Sequence, residues 1–355
     1  MTFSISPPSV KSISILVAGW LVGALTLYAV QHSHVHFPRP KPPAPAPQPR
    51  PDWFGWSPDA PQRKVVSAQF RPLATAAPGL MRARDASDGR PILLYKAWTD
   101  VFRDYPPYGP QEIGDCVSFG HGHANDLLQC ISWIMANGER GSPPTANDIQ
   151  ETDTEDLYAM MREAGGMLGR GDGGVGAFAV KAMCEMGMVS RRQLGSDRVY
   201  SGERARAWGR TGAPDSVKQL ASKYKLGSAV AVTTWDELVA ALHNGCPVTI
   251  CTGRGFNLER DGQGFCRMQG NWGHCMFIAG VRFDRAGACI IQSWGPNQPS
   301  GPTSLDQPAY SFWADRRAIE AILSEGDSYA ISKSPNFGAS SKSRKALPDH
   351  WRKAA

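Results

Sequence analysis

Cys116 directly follows Gly114-Asp115 and opens a run with helical periodicity, in which Val117, Ala124, Leu127, Leu128, Ile131, Ile134 and Met135 fall on one face. Asp115 is the predicted N-cap, which puts Cys116 in the first helical turn. A thiol there meets unsatisfied N–H groups and the positive end of the helix dipole. The spacing therefore predicts a thiolate-prone cysteine, titrating below the ~8.5 of a free thiol. The bland alternative is a core cysteine, because free Cys is among the most buried residue types. Company separates the two. Gln111 stands five residues upstream, and GHCMFIAGV (273–281) and IIQSWG (290–295) follow far downstream. A thiol nucleophile needs a base within hydrogen-bond reach, and His274, at the start of a strand-like run, is that candidate. His121 and His123 are two residues apart on the helix, not at the i,i+4 spacing of metal ligands, and the chain has no C-x-x-C pair. Neither a metal nor a cofactor is expected.

Taken in order, these stretches resemble papain-like cysteine peptidases, in which Gln, a Gly-x-Cys helix start, His-Ala and Asn-Ser-Trp-Gly follow one another. RGDGGVGAFAVKAMCEMGMV (170–189) is similar to the family's Gly-Gly substrate segment and the helix after it. The resemblance covers roughly residues 92–332, and its wording is closest to papain-like proteins of phage and bacterial genomes. It implies an α+β fold of two lobes, one mostly helical and one an antiparallel barrel-like sheet. It also implies roles: Cys116 as nucleophile, His274 as base, and Gln292 as the orienter of the imidazole where the family has Asn. Gln111 and the Cys116 N–H would be the oxyanion donors, and Trp294 would shield the His–Gln bond from water. Gly173 and Gly174 would pair with an extended substrate, although the residues alone fit a turn needing positive φ equally well. Two departures stand out. Gln292 is one methylene longer than Asn, and Gln111 lies five residues before the cysteine where the family has six.

The elements that must position these groups are legible as local pattern. ILLYKAW (92–98) reads as an opening strand, and the helix from Cys116 to Ala136 ends at Asn137-Gly138. Residues 138–150 read as a surface loop, 153–163 as a short helix and Val175–Met186 as another. In the second lobe 201–216 reads as loop, and Thr234-x-x-Glu237 is a capping box that opens a helix closed by Gly245. Three strand-like runs follow at 247–251, 274–283 and 288–294. His243 is a rival base, but a solvated histidine near a helix C-terminus is commonplace.

Around this catalytic domain (92–332, with lobes 92–200 and 201–332) lie polar, Pro-rich ends. After a flank at 1–12, residues 13–31 hold an uncharged and mostly apolar run, predicted as a transmembrane helix or signal anchor. A cleaved signal peptide and a secreted protein are the alternative. Residues 32–51 form a Pro-rich linker, with eight prolines between Phe37 and Pro51, which reads as a polyproline II spacer. The lead-in at 52–91 has no assigned element. It is too short for a long helical propeptide, so control of activity is expected elsewhere or not at all. Residues 333–355 read as a basic disordered tail.

Net charge is +6, with the basic excess confined to the two ends, so nucleic-acid binding is not expected of the core. Cys251, Cys275 and Cys289 fit buried free thiols, while Cys130–Cys184 and Cys246–Cys266 bridges stay open on sequence. Two functions are compatible with all of this. The first is a membrane-tethered papain-like thiol hydrolase, single-pass and monomeric, cleaving peptide bonds in a peptide or protein substrate. The second is a catalytically weak or inactive peptide-binding module of phage origin.

Overall fold

The computed structural model describes residues 50–85, 88–138, 149–195, 198–295, 298–332 and 346–353. The predicted anchor and most of the Pro-rich linker, most of the 138–150 loop and the segment 333–345 lie outside these residues. Among the described residues no helix is long and apolar enough to cross a membrane.

One helix, Cys116–Asn137, organises the first lobe. It is buried along most of its length, so its apolar periodicity serves packing on several sides rather than on one stripe. Gly120 lets it approach the sheet closely: a Cβ there would sit 3.0 Å from Cys275 Sγ and 3.2 Å from the Met276 carbonyl oxygen. Gly138, at φ 78°, ends it in a conformation that favours glycine. The Thr154–Ala164 helix begins on Asp153, whose carboxylate accepts the Asp156 N–H at 2.8 Å. It packs with the Gly176–Glu185 helix and the Gly202–Thr211 helix.

That last helix replaces a predicted loop. Ser201 caps it by accepting the Arg204 N–H, and a second helix follows at Asp215–Ala221. A composition rich in Arg and Gly conceals it, because only Ala205 and Gly209, four residues apart, need face inward after its first residue. Gly209 lies so close to Tyr158 that a Cβ would be 2.5 Å from the ring. Residues 202–211 therefore pack with the helical lobe, beyond the boundary expected at 200.

The second lobe is one antiparallel sheet. Its strands are β1 (Ile92–Leu93), β2 (Ser228–Ala231), β3 (Val248–Phe256), β4 (Met268–Arg282), β5 (Gly287–Ile291), β6 (Ser311–Asp315) and β7 (Ser328–Ser332). They lie in the order β2-β7-β3-β4-β5-β6, with β1 added on β4. Among the described residues β2 and β6 are the two ends of that order. The β3–β4 ladder is regular from Val248↔Ile278 to Thr252↔His274 and then shifts register. Such an irregularity re-aims the backbone near a site, and it falls just before His274.

The ends of the domain are more structured than their composition suggests. Helices at Arg63–Ser67, Leu73–Ala76 and Pro78–Asp85 fill much of the unassigned lead-in, and Val66 and Leu73 are buried in the core. At the far end Trp351 is fully buried and donates its indole N–H to Asp100 at 2.6 Å. Part of the segment expected to be a disordered tail is thus an anchored turn. All eight cysteines are free thiols. At Thr234 half of the predicted box is present. The hydroxyl accepts the Glu237 N–H, but the Glu237 carboxylate binds Thr233 and the Ala74 N–H instead of returning to residue 234.

Candidate active site

Cys116 is the first residue of its helix, as predicted, but its surroundings differ from the expectation in two ways. Asp115 makes no side-chain cap: its carboxylate turns away and accepts the Tyr200 hydroxyl at 2.8 Å. Burial raises that carboxyl well above the usual range, which weakens it as a like charge beside the thiol. The second difference is larger. Cys116 is fully buried, and that desolvation pushes its thiol up rather than down, despite backbone N–H groups that favour the thiolate.

His274 stands in β4, directly after Gly273, whose carbonyl oxygen is 4.0 Å from Cys116 Sγ. The register of β4 thus brings the predicted nucleophile and base to one cleft. Burial lowers the His274 imidazole to about 3, so it is neutral here. Among the described residues neither ring nitrogen has a hydrogen-bond partner. Trp294 stacks on the ring with centroids 4.3 Å apart, and Trp272 meets it edge-on at 6.5 Å. The Gln292 carboxamide is engaged elsewhere: its N–H donates to the Gln298 carbonyl and its oxygen accepts the Trp294 N–H. In this state Gln292 fixes the turn that carries Trp294 over the imidazole, and no hydrogen bond joins it to His274. Asn297, a neighbouring amide, lies outside the described residues.

Gln111 is also in the cleft. Its amide oxygen accepts the Ser293 hydroxyl at 2.5 Å, and its backbone N–H donates to the Ser293 carbonyl at 3.0 Å. Its amide nitrogen donates to the carbonyls of Ile113 and Trp53, both at 2.8 Å. Gly173 and Gly174 form the opposite wall. Gly173, at φ 126°, is held from both sides: its N–H reaches the Tyr158 hydroxyl at 2.9 Å, and its carbonyl accepts Arg162 Nη1 at 2.6 Å.

What fills the cleft is the chain itself. Residues 53–57 run between the two walls and touch Gln111, Cys116, Gly174 and Trp294. The Trp53 carbonyl sits on the Gln111 amide. Phe54 packs against the rings of Trp272 and Trp294. The Gly55 backbone faces the Cys116 sulfur, and a Cβ on Gly55 would run into the Gly114 carbonyl and lie 2.9 Å from the Gly114 Cα. Gly174 donates to the Gly55 carbonyl at 2.7 Å and accepts the Ser57 N–H at 2.9 Å, a parallel bridge centred on Trp56. The Trp56 N–H meets the Gly273 carbonyl at 2.8 Å. Sequence reasoning missed this strap because WFGWS has no periodicity, and its partners lie more than a hundred residues away for the most part.

The strap has a pH signature. It closes over an imidazole lowered to about 3, whereas an imidazole open to water titrates near ~6.5. The closed state therefore binds fewer protons, so closure is fully stable above ~6.5 and is lost as pH falls toward 3. The buried thiol acts at the other end, since its raised value makes closure weaken as pH rises through the open thiol's range. Hydrogen exchange of the Ser57 and Gly174 amides, corrected for intrinsic rates, should lose roughly 50-fold in protection between pH 6.5 and 4.5. Flat protection across that range would mean that His274 stays buried when the strap opens.

No family model matches the chain, and no curated protein does. Solved structures do. Xylellain, a cysteine protease from Xylella fastidiosa, superposes with a TM-score of 0.48 at 16% identity, over 82% of this chain and 99% of that one. Procathepsin B S9 from Trypanosoma congolense gives 0.49 at 10% identity, over 79% and 89%. Procathepsin L 3 from the larval midgut of Tenebrio molitor gives 0.43 at 12%, over 69% and 70%. These solved structures are papain-like cysteine proteases.

Proposed function

We propose that the chain is a thiol hydrolase of peptide bonds, held latent by its own residues 53–57. One observation carries this reading: a polypeptide already lies in the cleft as a ligand would. It is bound through its backbone to Gly174 and Gly273, with one carbonyl on Gln111 and a glycine against Cys116. Backbone pairing of that kind accepts any extended peptide, and side-chain pockets then discriminate.

Once the strap leaves, water reaches Cys116 and His274, and both desolvation shifts relax. The imidazole takes the thiol proton, and the thiolate sulfur attacks the substrate carbonyl carbon. The developing oxyanion takes the place of the Trp53 carbonyl at the Gln111 amide, with the Cys116 N–H as a second donor. The imidazolium returns its proton to the departing amine, leaving an acyl thioester. A water, deprotonated by the same imidazole, then cleaves that thioester and restores the thiol. Gln292 and Trp294 hold the ring's environment. The run at 13–31 and the Pro-rich 32–51 would tether this domain at a stand-off from a membrane.

The test is an epoxide-type thiol probe on the full chain carrying Gly55→Val to release the strap. Label is expected on Cys116 alone among the eight cysteines, absent in Cys116→Ala and strongly slowed in His274→Ala. Labelling of Cys116 that ignores His274 would favour the second reading, a peptide-binding module without turnover. The neutral, unpartnered imidazole is the observation on that side.

A further inference from the structure

Cys116 is not the only thiol of its neighbourhood. Cys251 in β3 and Cys275 in β4 stand directly opposite each other, so their side chains share one face of the sheet. The Cys251 N–H donates away from β4, to the Asp327 carbonyl at 3.1 Å, and the Cys275 N–H turns away from β3, to the Cys116 sulfur. The two cysteines are therefore a non-hydrogen-bonded pair of the ladder, with Cα atoms ~4.5 Å apart. That separation lies within the ~4.4–6.8 Å that a disulfide spans. Among the described residues no other two cysteines are in register across neighbouring strands. Their thiols already share a hydrogen bond. The Cys116–Asn137 helix closes over Cys275, with His121 Nδ1 at 3.8 Å from the sulfur. The same nitrogen is 2.8 Å from the Val117 carbonyl, which only accepts, so it carries the proton and shares it with the sulfur. Charge on Cys275 pushes the Cys116 thiol up, and charge on Cys116 does the same to Cys251, which puts the three sulfurs in one cluster. Burial raises both members of the pair, but the hydrogen bonds from Cys251 and His121 bring Cys275 below an ordinary thiol, so Cys275 ionises first. Peptide cleavage uses neither of them.

We infer that Cys275 and Cys251 are a resolving pair for an oxidised Cys116, by which the protein reduces a peroxide once and keeps its nucleophile. This rests on the strap-gated thiol of the hydrolase reading. Cys251 and Cys275 are fully buried, so an oxidant enters the cluster through Cys116 when the strap is open. Hydrogen peroxide is the oxidant required. Its oxygen passes to the Cys116 thiolate, giving a sulfenic acid and hydroxide. The Cys275 thiolate attacks that sulfur, the S–O bond breaks, and a second hydroxide departs from a Cys116–Cys275 disulfide. The Cys251 thiolate then attacks the Cys275 sulfur and expels Cys116 as thiolate. The protons of the Cys275 and Cys251 thiols turn the two hydroxides into water. One peroxide is reduced, two thiols are oxidised to one cross-strand disulfide, and Cys116 ends as it began. The ladder favours the last step, because Cys251 and Cys275 already face each other, whereas a bond to Cys116 draws the helix start onto the sheet. Without a resolving thiol the sulfenic acid proceeds to sulfinic acid, which does not return.

The test is a thiol map of the full Gly55→Val chain after a pulse of hydrogen peroxide in small molar excess, with no reductant added. Remaining thiols are alkylated in denaturant and the peptides read by mass. A Cys251–Cys275 disulfide is expected, with Cys116 still alkylated. Adding Cys251→Ala should stop the sequence at a Cys116–Cys275 disulfide. Adding Cys116→Ala should slow formation of the Cys251–Cys275 disulfide about 10-fold, because peroxide then has no exposed thiolate to oxidise. Adding Cys275→Ala should carry Cys116 on to sulfinic acid and cut its later labelling by the epoxide probe about 10-fold. Circular dichroism checks the fold of each variant, and the map of the chain that keeps all three cysteines needs no substitution among them. A disulfide that forms as fast in Cys116→Ala overturns the relay, as does a Cys116 that survives the pulse equally well in Cys275→Ala. If the probe labels Cys116 but peroxide yields no Cys251–Cys275 disulfide, this inference fails alone. If the probe does not label Cys116, the hydrolase reading falls and the relay falls with it.

Discussion

Gly55→Val should open the cleft and accelerate iodoacetamide alkylation of Cys116 by roughly 100-fold. The reason is steric and local. A Cβ at position 55 would collide with backbone atoms of Gly114, and those cannot swing aside as a flexible side chain would. Gly114 is fixed by its neighbours, since Asp115 donates to the Ile113 carbonyl and Cys116 begins the central helix. The strap must therefore leave. If its backbone bonds and the buried Trp56 hold it closed by about 3 kcal/mol, the open fraction rises about two orders of magnitude, at ~1.4 kcal/mol per tenfold. The change should stay confined to the strap, because the Arg63–Ser67 and Leu73–Ala76 helices keep their own anchors, Val66 and Leu73, in the core. Circular dichroism should stay the same. Alkylation at the parent rate with the fold intact would show that residues 53–57 do not control access to the thiol. Gly55→Ala, which adds the Cβ alone, should show the same direction.

The second large effect is expected far from the thiol, at Arg162. This guanidinium is buried and donates to four backbone carbonyls: Gly209 at 2.7 Å, Gly173 at 2.6 Å, Met167 at 2.7 Å and Arg170 at 2.9 Å. It also stacks on Tyr158 at 5.2 Å. Truncation would strand three acceptors and leave the Met167 carbonyl with the Arg170 N–H alone, and each buried unsatisfied group costs ~1–3 kcal/mol before relaxation. Allowing for water entering the gap, Arg162→Ala should lose on the order of 4 kcal/mol, read as a lower urea midpoint at unchanged slope. Arg162→Lys should recover little. An ammonium has three donors on one atom and cannot reach four carbonyls arranged around a planar fork. A lysine variant as stable as the parent would show that charge rather than fork geometry is what this site requires. The loss should reach the cleft too, because the Gly173–Gly174 wall hangs on this side chain, so residual folded protein should alkylate faster.

These expectations sort into those that follow from adjacent residues and those that do not. The helix starting at Cys116, the helix over 154–164 and three strands near 247, 274 and 288 could be read directly, because apolar period is a property of neighbours along the chain; the polar first half of the second strand, which begins at Met268, could not. The order of Cys116, His274, Gln111, Gly174 and Trp294 along the chain carried the family resemblance, and their assignment as one site is the proposal that thiol labelling tests. The helix at Gly202–Thr211 escaped because so few of its residues need to be apolar.

Protonation escaped for another reason. Position in the first turn of a helix favours a thiolate, yet burial pushes the Cys116 thiol up and the His274 imidazole down. Desolvation depends on what covers an atom, and the cover here is Phe54-Gly55-Trp56, from a stretch without pattern. The sequence by itself proposed Cys116 and His274 as the reacting pair and set the order in which the chain presents them. Tertiary structure decided whether water reaches them and which stretch of the chain covers them, since each depends on contacts between residues distant in sequence.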